Sequence, residues 1–192
     1  MLAAGGSTRM GQMKQLIEYE GKPLVRRAVE AALAAGTDPV VVVLGARAAV
    51  IRPALEDLAG ITVTLNPDWE SGLASSLRAG LTGVLRDPTL DAVMVVLADQ
   101  PLVDGVALRR LITAFRAGSR IVASSYDGLP GVPALFGREH APALLGLTGD
   151  AGAGAWLRSR MPDVAIVPLD GVALDLDTPG DLARLADPTS FS

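Results

Sequence analysis

The sequence predicts an α/β fold, a three-layer sandwich in which helices cover both faces of a mostly parallel, Rossmann-like sheet. Short apolar runs alternate along the chain with stretches of helical periodicity, which is the order of β-α-β units. Two of the runs, "PVVVVLG" at 39–45 and "AVMVVLA" at 92–98, are apolar throughout, as in strands buried on both faces of a parallel sheet. A chain of 192 residues suits one domain, which we predict over 1–188 with a loose tail over 189–192.

Each element of this fold follows from a local pattern. Strands are predicted where apolar residues run without helical spacing, at 2–4, 39–45, 61–65, 92–98, 120–125, 164–169 and 172–176. Helices are predicted at 22–35, 53–58, 73–85, 106–117, 139–145 and 154–161, with a last helix from Pro179. The stretch "YDGLPGVP" at 126–133 is predicted to be a loop because of its glycines and prolines.

The composition excludes several classes of function. The chain has no cysteine and only one histidine, His140, so disulfides, thiolate nucleophiles and histidine-cluster metal sites are excluded, whereas oxygen ligands for Mg²⁺ remain. The net charge of −4 and the absence of a basic block give no reason to expect a nucleic-acid partner. No apolar run approaches the ~20 residues of a membrane span, and no signal peptide is recognisable. We therefore expect a cytoplasmic protein without a membrane partner.

Polar and glycine residues follow several of the predicted strands directly. Gly5 and Gly6 follow the first strand, Asn66 follows the strand at 61–65, Asp99 follows 92–98 and Asp177 follows 172–176. Ligands of such sheets bind outside the carboxyl ends of the strands. We expect these loops, distant in sequence, to converge on one site.

The opening segment "LAAGGSTRMGQMKQL" has the character of a phosphate loop without matching the common ones. Glycines let backbone N–H groups approach a phosphate closely. Gln12 and Met13 stand where a Walker A motif has Lys-Ser/Thr, and G-x-G-x-x-G is absent. The alternative is a tight turn with solvated Arg9 and Lys14 side chains.

The same segment resembles the signature of nucleotidyltransferases of the nucleotide-diphospho-sugar transferase fold, roughly L-A-A-G-x-S-x-R-M-G-x-x-K. Four later stretches agree in order: "NPDWESGLASSLRAGL", "LADQP", "GLTGDAGA" and "DLDTPGDL". Together they resemble the molybdenum cofactor cytidylyl- and guanylyltransferases, and the MocA-like branch more than the MobA-like branch.

This resemblance implies a role for each matching residue. Arg9 and Lys14 would be catalytic, contacting the triphosphate of CTP, and Asp99 and Asp177 would hold Mg²⁺. The nucleotide contacts would be Leu2, Ala3, Ala4, Gly5, Gly6, Asn66, Ser71, Gly72 and Ser75. The acceptor contacts would be Gly131, Pro133, Gly149 and Asp150.

The two carboxylates also have ordinary structural interpretations. Aspartate often caps a helix or closes a turn, which suits Asp99 before Pro101 and Asp177 before Thr178. We favour the metal-binding interpretation for both. Asp175, two positions before Asp177, is the fallback ligand.

The acceptor segments depart from the family pattern at Val132, where histidine is usual, and at Gly154, where arginine is usual. The leading hypothesis is a Mg²⁺-dependent transfer of CMP from CTP to molybdopterin or the molybdenum cofactor, releasing pyrophosphate. Alternatives are GTP as donor or a sugar phosphate as acceptor, and a non-catalytic nucleotide-binding accessory protein. A molybdoenzyme or its maturation factor is the expected partner.

The first predicted strand is short. A buried strand usually has ~5–6 residues, whereas only residues 1–4 precede the glycines. We expect the natural start to lie upstream of Met1, or Met1 to stand in for a strand valine.

Overall fold

The computed structural model describes residues 1–7, 10–126, 128–169, 175–176 and 178–186. The strands are β1 (Leu2–Ala3), β2 (Glu18–Tyr19), β3 (Lys22–Pro23), β4 (Val40–Leu44), β5 (Ile61–Leu65), β6 (Ala92–Val95), β7 (Ile121–Tyr126), β8 (Leu129–Gly137) and β9 (Ala165–Pro168). The helices are α1 (Leu24–Ala34), α2 (Ala48–Ile51), α3 (Leu73–Val84), α4 (Gly105–Arg116), α5 (Ala141–Leu145), α6 (Ala153–Ser159) and α7 (Pro179–Ala186). Short 3₁₀ turns occupy Lys14–Leu16, Arg52–Leu55, Trp69–Ser71, Arg138–His140 and Met161–Asp163.

The main sheet has the strand order β5-β4-β1-β6-β8-β7-β9. The two halves join where β1 bonds to the extension of β6: Leu2 N donates to Val96 O at 2.8 Å and Ala98 N donates to Leu2 O at 3.1 Å. Pairing is parallel except that β8 runs antiparallel to both β6 and β7. The prediction of a mostly parallel sheet is confirmed, and the carboxyl ends of β1, β4, β5 and β6 share one edge.

Helices cover both faces of the sheet. Along β4, Val42 and Leu44 pack with α1 and α4 residues in one core cluster, while Val41 and Val43 pack with α3, α5 and α6 residues in a second. All of β4 is buried, which is why its sequence is uniformly apolar. Burial of one such side chain contributes about 1.5–3 kcal/mol. The predicted three-layer sandwich is therefore confirmed.

Two predicted elements need correction. Most of the stretch predicted as a loop at 126–133 belongs to strand β8, which pairs on both sides. The predicted helix at 53–58 is instead α2, which begins at Ala48, followed by the 3₁₀ turn Arg52–Leu55.

Parts of two further predictions lie outside the described residues. They are most of the strand predicted at 172–176 and the tail predicted at 189–192. None of the helices in the described ranges is long and apolar enough to cross a membrane.

Candidate active site

A cavity of about 410 Å³ lies at the carboxyl edge of the sheet. The glycine loop after β1, the segment after β6 and the turn before α3 form its wall. The lining residues are Leu2, Ala3, Ala4, Gly5, Gly6, Ser7, Lys14, Gln15, Trp69, Glu70, Gly72, Leu73, Ser76, Leu97, Ala98, Asp99 and Asp150. Another cavity, of about 220 Å³, lies at the amino ends of β4 and β6 and has a mostly apolar lining. The ionisable side chains that line the carboxyl-edge cavity are Lys14, Glu70, Asp99 and Asp150, and its place at the carboxyl ends of the strands is where a sheet of this kind binds ligands.

Hydrogen bonds from a buried amide hold the glycine loop. The Gln15 side chain is buried, and its Nε2 donates to Ala3 O at 3.1 Å and to Gly5 O at 2.8 Å. Ser7 Oγ donates to Gln15 Oε1 at 3.3 Å and accepts the N–H of Lys14 at 3.1 Å. The loop therefore closes on the turn that carries Lys14.

Lys14 meets Asp99 inside the cavity. Lys14 Nζ lies 3.4 Å from Asp99 Oδ2, and the two side chains are 13% and 26% exposed. Burial raises the pKa of Asp99 above its ordinary value, the Lys14 ammonium opposes this, and the Asp175 carboxylate adds to it. A predicted cation and a predicted metal ligand, far apart in sequence, thus share one wall of the cavity.

Asp99 fits the role of a ligand for a hard cation. Its Oδ1 is buried and receives no hydrogen bond from the described residues. The helix that follows is capped by another residue, since Asp104 Oδ1 accepts the N–H of Ala107 at 2.8 Å. A buried carboxylate oxygen without a donor suits Mg²⁺, which commonly takes one or two carboxylates together with substrate phosphates.

The remaining members of the predicted catalytic set lie outside the described residues. They are Arg9 and Asp177. Within the described ranges no group of three or more acidic, histidine or cysteine side chains could hold a metal ion. Leu176 N donates to Asp99 O at 3.0 Å, so the chain immediately before position 177 adjoins Asp99.

Asp175, the fallback ligand, is held by an amide. Gln100 Nε2 donates to Asp175 Oδ1 at 2.9 Å and to Val132 O at 2.8 Å. Gln100 is buried and follows Asp99 directly. It therefore connects the segment after β6 with β8 and with the segment before α7.

The predicted nucleotide contacts after β5 form a hydrogen-bonded cluster of their own. Asn66 is buried, and its Nδ2 donates to Ser75 Oγ at 2.8 Å and to Ser76 Oγ at 3.0 Å. Ser71 Oγ and Ser75 Oγ both donate to Asp68 O, at 2.7 Å and 2.9 Å. Among these residues only Ser76 lines the cavity. Nucleotide contacts by Asn66, Ser71 and Ser75 stay predictions, while their observed contacts shape the turn before α3.

Two predicted residues from opposite sides of the site touch. Gly72 has φ +107°, and an ideal Cβ there would lie 2.3 Å from both the carbonyl carbon and the oxygen of Gly149. Gly149 O also accepts the N–H of Ala74 at 3.0 Å. Asp150, which follows, lines the cavity together with Gly72. The structure therefore brings the predicted donor-side residue Gly72 against the predicted acceptor-side residues Gly149 and Asp150.

Gly131 and Pro133 lie on β8, away from the cavity lining. Gly131 pairs with Ser124 of β7, and its carbonyl accepts the Ser124 hydroxyl at 3.1 Å. Their acceptor contacts stay predictions.

Trp69 and Gln15 are site residues to which the sequence reasoning assigned no role. An ideal Cβ on Gly6 would lie 3.1 Å from the Trp69 ring, and one on Gly45 would lie 2.6 Å from Trp69 Cβ. The indole therefore packs against both the glycine loop and the segment after β4. A glycine directly after a buried strand, as at position 45, is the available sequence signal for such a close approach.

A parallel sheet with a glycine loop, a lysine and a buried carboxylate at its carboxyl edge defines an α/β protein suited to bind the phosphates of a nucleotide. The chain belongs to the family of MobA-like NTP transferase domains, whose model matches residues 1–165, and so it is a nucleotidyltransferase by family.

Individual relatives span almost the whole chain. It is 34% identical to nicotine blue oxidoreductase of Paenarthrobacter nicotinovorans, over 96% of this chain and 94% of that protein. The crystal structure of Rv0371c from Mycobacterium tuberculosis matches with a TM-score of 0.81 at 34% identity, covering 96% of this chain and 94% of that one. A manganese complex of Rv0371c matches with a TM-score of 0.75 at 32% identity, covering 96% and 94%.

Proposed function

We propose that this protein transfers a nucleoside monophosphate from a nucleoside triphosphate to a phosphorylated acceptor, with CTP as donor and molybdopterin or the molybdenum cofactor as acceptor. The observation that carries the proposal is the Lys14–Asp99 pair beneath the glycine loop in one cavity. The choice of CTP and molybdopterin rests on the resemblance of the opening segment and of the Ser75-Ser76-Leu77 stretch to the MocA-like branch.

The reaction balances without a covalent intermediate on the protein. An acceptor phosphate oxygen attacks the α-phosphorus, the bond from the α-phosphorus to the α–β bridging oxygen breaks, and pyrophosphate leaves with the electron pair. Positioning and charge neutralisation supply most of the catalysis in such a step. Lys14 binds phosphate oxygens and offsets the charge that develops on pyrophosphate, and Arg9 is proposed as the second cation.

Asp99 and Asp177 are proposed as ligands of Mg²⁺, which when bound neutralises charge on the phosphates. The orphaned Oδ1 of Asp99 supports this, as does the manganese complex of the related Rv0371c. Lys14 then has two functions: it binds phosphate, and its ammonium group opposes the rise that burial causes in the pKa of Asp99.

The acceptor side offers a cation where the family pattern has lost one. Gly154 replaces the usual arginine, but Arg158 Nη1 lies 3.4 Å from the position that a Cβ on residue 154 would occupy. Arg158 stands one helical turn later on the same face of α6. This arrangement supports an anionic acceptor. GTP as donor and a sugar phosphate as acceptor are the alternatives within the same chemistry.

The test is pyrophosphate release from each ribonucleoside triphosphate, with and without molybdopterin, in Mg²⁺, in Mn²⁺ and in excess chelator. We expect release with CTP, dependent on acceptor and metal. Release with GTP alone would refute the cytidylyl assignment. No release with any triphosphate would refute the transferase proposal.

A second candidate is an oxidoreductase, which the likeness to nicotine blue oxidoreductase over 96% of the chain favours. Its assay follows the colour of nicotine blue in a redox reaction without nucleoside triphosphate. Turnover in this redox assay and none in the pyrophosphate assay would replace the first proposal.

A third candidate is a non-catalytic accessory protein for a molybdoenzyme. Nucleotide binding without turnover, together with molybdoenzyme maturation that Asp99→Ala leaves unchanged, would favour this candidate.

A further inference from the structure

We infer that Gln15 is a positioning residue that presents the glycine loop to the phosphates of the donor nucleotide, an inference that rests on the proposed function. Gln15 is buried beside Lys14, and no composition rule or spacing singles it out. Its side-chain amide is both a donor and an acceptor: Nε2 donates to the carbonyls of Ala3 and Gly5, and Oε1 accepts from the Ser7 hydroxyl.

The two donated bonds fix the direction of the loop peptides. In a trans peptide the C=O of one residue and the N–H of the next point in opposite directions. Gly5 O is held by Gln15 at 2.8 Å, so the N–H of Gly6 points away from the Gln15 amide. Backbone N–H groups oriented in this way are the anion-binding element of a phosphate loop.

The accepted bond fixes the lysine. Ser7 Oγ donates to Gln15 Oε1 and accepts the N–H of Lys14, so the amide, the hydroxyl and the Lys14 backbone form a chain of hydrogen bonds. Gln15 thus acts on two parts of the cavity wall, on the Gly5–Gly6 peptide directly and on the Lys14 backbone through Ser7.

The decisive variant is Gln15→Glu, which keeps the size of the side chain and removes both N–H donors. A carboxylate there would face the carbonyl oxygens of Ala3 and Gly5, which have no proton to share with it. The matched control is Gln12→Glu, because Gln12 is an exposed glutamine of the same segment and the control adds the same charge. Gln15→Met, which removes the hydrogen bonds without adding charge, is the companion variant.

Equilibrium binding of CTP and of cytidine, each measured on the wild type and the folded variants, separates positioning from general damage. We expect Gln15→Glu and Gln15→Met to weaken CTP binding by about tenfold or more, the loss of one to two hydrogen bonds. Cytidine binding and the Gln12→Glu control should stay within about twofold.

Any other outcome overturns either the inference about Gln15 or the proposed function. CTP binding unchanged in a folded Gln15 variant overturns the inference, and so does an equal loss for CTP and cytidine. If both Gln15 variants fail to fold, the variant Ser7→Ala is used instead. A loss of affinity for CTP but not for cytidine would support the inference, and unchanged affinity for CTP would overturn it. A wild type that binds no nucleoside triphosphate overturns the proposed function itself, which the failure of a variant alone does not.

Discussion

The contact between Gly72 and Gly149 allows a test with a matched control elsewhere in the chain. Gly72→Ala places a Cβ at φ +107°, 2.3 Å from backbone atoms of Gly149. Gly118→Ala places one at φ +113° with nothing within 4 Å. Both substitutions therefore place a residue other than glycine at a positive φ, and only the first imposes a collision.

The expected magnitudes follow from these contacts. A positive φ of this kind costs about 1–3 kcal/mol for a residue other than glycine, so each variant carries a cost in this range. Ordinary contact begins near 3.4 Å, so the Gly149 backbone must move by about 1 Å to admit the Cβ of Gly72→Ala. Overpacking of this kind costs about 1–3 kcal/mol more. In a chain of this size, the difference lowers the melting temperature by roughly 2–12 °C.

Thermal unfolding of both variants beside the wild type measures this difference, and pyrophosphate release measures its effect on the site. Gly72→Ala should lose activity as well as stability, because Gly149 O also accepts the N–H of Ala74 and is followed by Asp150 in the cavity wall. Gly118→Ala should lose stability only. Equal melting temperatures for the two variants would refute the assignment of the Gly72 cost to the collision.

Two further predictions concern charges. Lys14→Met and Asp99→Ala should each lower the rate of pyrophosphate release by about 10²–10³-fold, because each removes a group that stabilises charge in the site. The control Lys22→Met, at an exposed ion pair, should retain activity. Retained activity in Lys14→Met and Asp99→Ala would remove this pair from the mechanism. The Arg120 guanidinium donates two hydrogen bonds of 2.7 Å to the Glu139 carboxylate and lowers the pKa of Glu139 from 4.5 to about 2. The pair therefore stabilises the folded state at pH values above 4.5, the pKa of Glu139 in the unfolded chain. This stabilisation is lost as the pH falls from about 4.5 through 2. Because Glu139 is 46% exposed, Glu139→Gln should cost at most ~1 kcal/mol in urea unfolding near neutral pH. This cost should shrink as the pH falls towards 2, and a cost that stays constant over that range would contradict the ion-pair explanation.

The central strands and the position of the site could be predicted from the sequence because their signals are local. A strand buried on both faces, such as β4, has to be apolar at every position. The rule that ligands bind at the carboxyl ends of parallel strands then predicts that Gly5, Gly6 and Asp99 lie together.

Strand β8 could not be predicted, because its pairing overrides its local signals. Pro130 and Pro133 lack an N–H and argue against a strand flanked on both sides. The pairing with β7 jumps from Ala134 opposite Ala123 to Gly131 opposite Ser124. Val132 and Pro133 are thus the extra residues of a bulge, where a proline is tolerated.

The roles of Gln15, Gln100 and Trp69 could not be predicted from the sequence, because they depend on contacts that form only in the fold. Gln100 and Trp69 act through contacts with segments far away in sequence, such as the bond from Gln100 to Val132 O. Gln15 acts on Ala3 and Gly5 of its own segment, but only because the loop between them folds back. No spacing within one segment reports such a contact. A buried polar group must still find a partner, so these residues became interpretable once the fold was known.

The hydrogen bond from Gln100 to Val132 O bears on how acceptor specificity can change in this family. Val132 replaces the usual histidine, but Gln100 binds the Val132 carbonyl, which any residue provides. Gln100 follows Asp99 directly and also donates to Asp175, so the segment after β6 keeps its anchor whatever side chain position 132 carries. The backbone of the bulge therefore anchors the segment that carries Asp99, whereas a substitution at position 132 changes only a side chain that packs against the second core cluster. On this argument, Val132→His should change acceptor preference in the pyrophosphate assay and leave the affinity for the donor nucleotide unchanged; a large loss of donor affinity would show that the two are coupled.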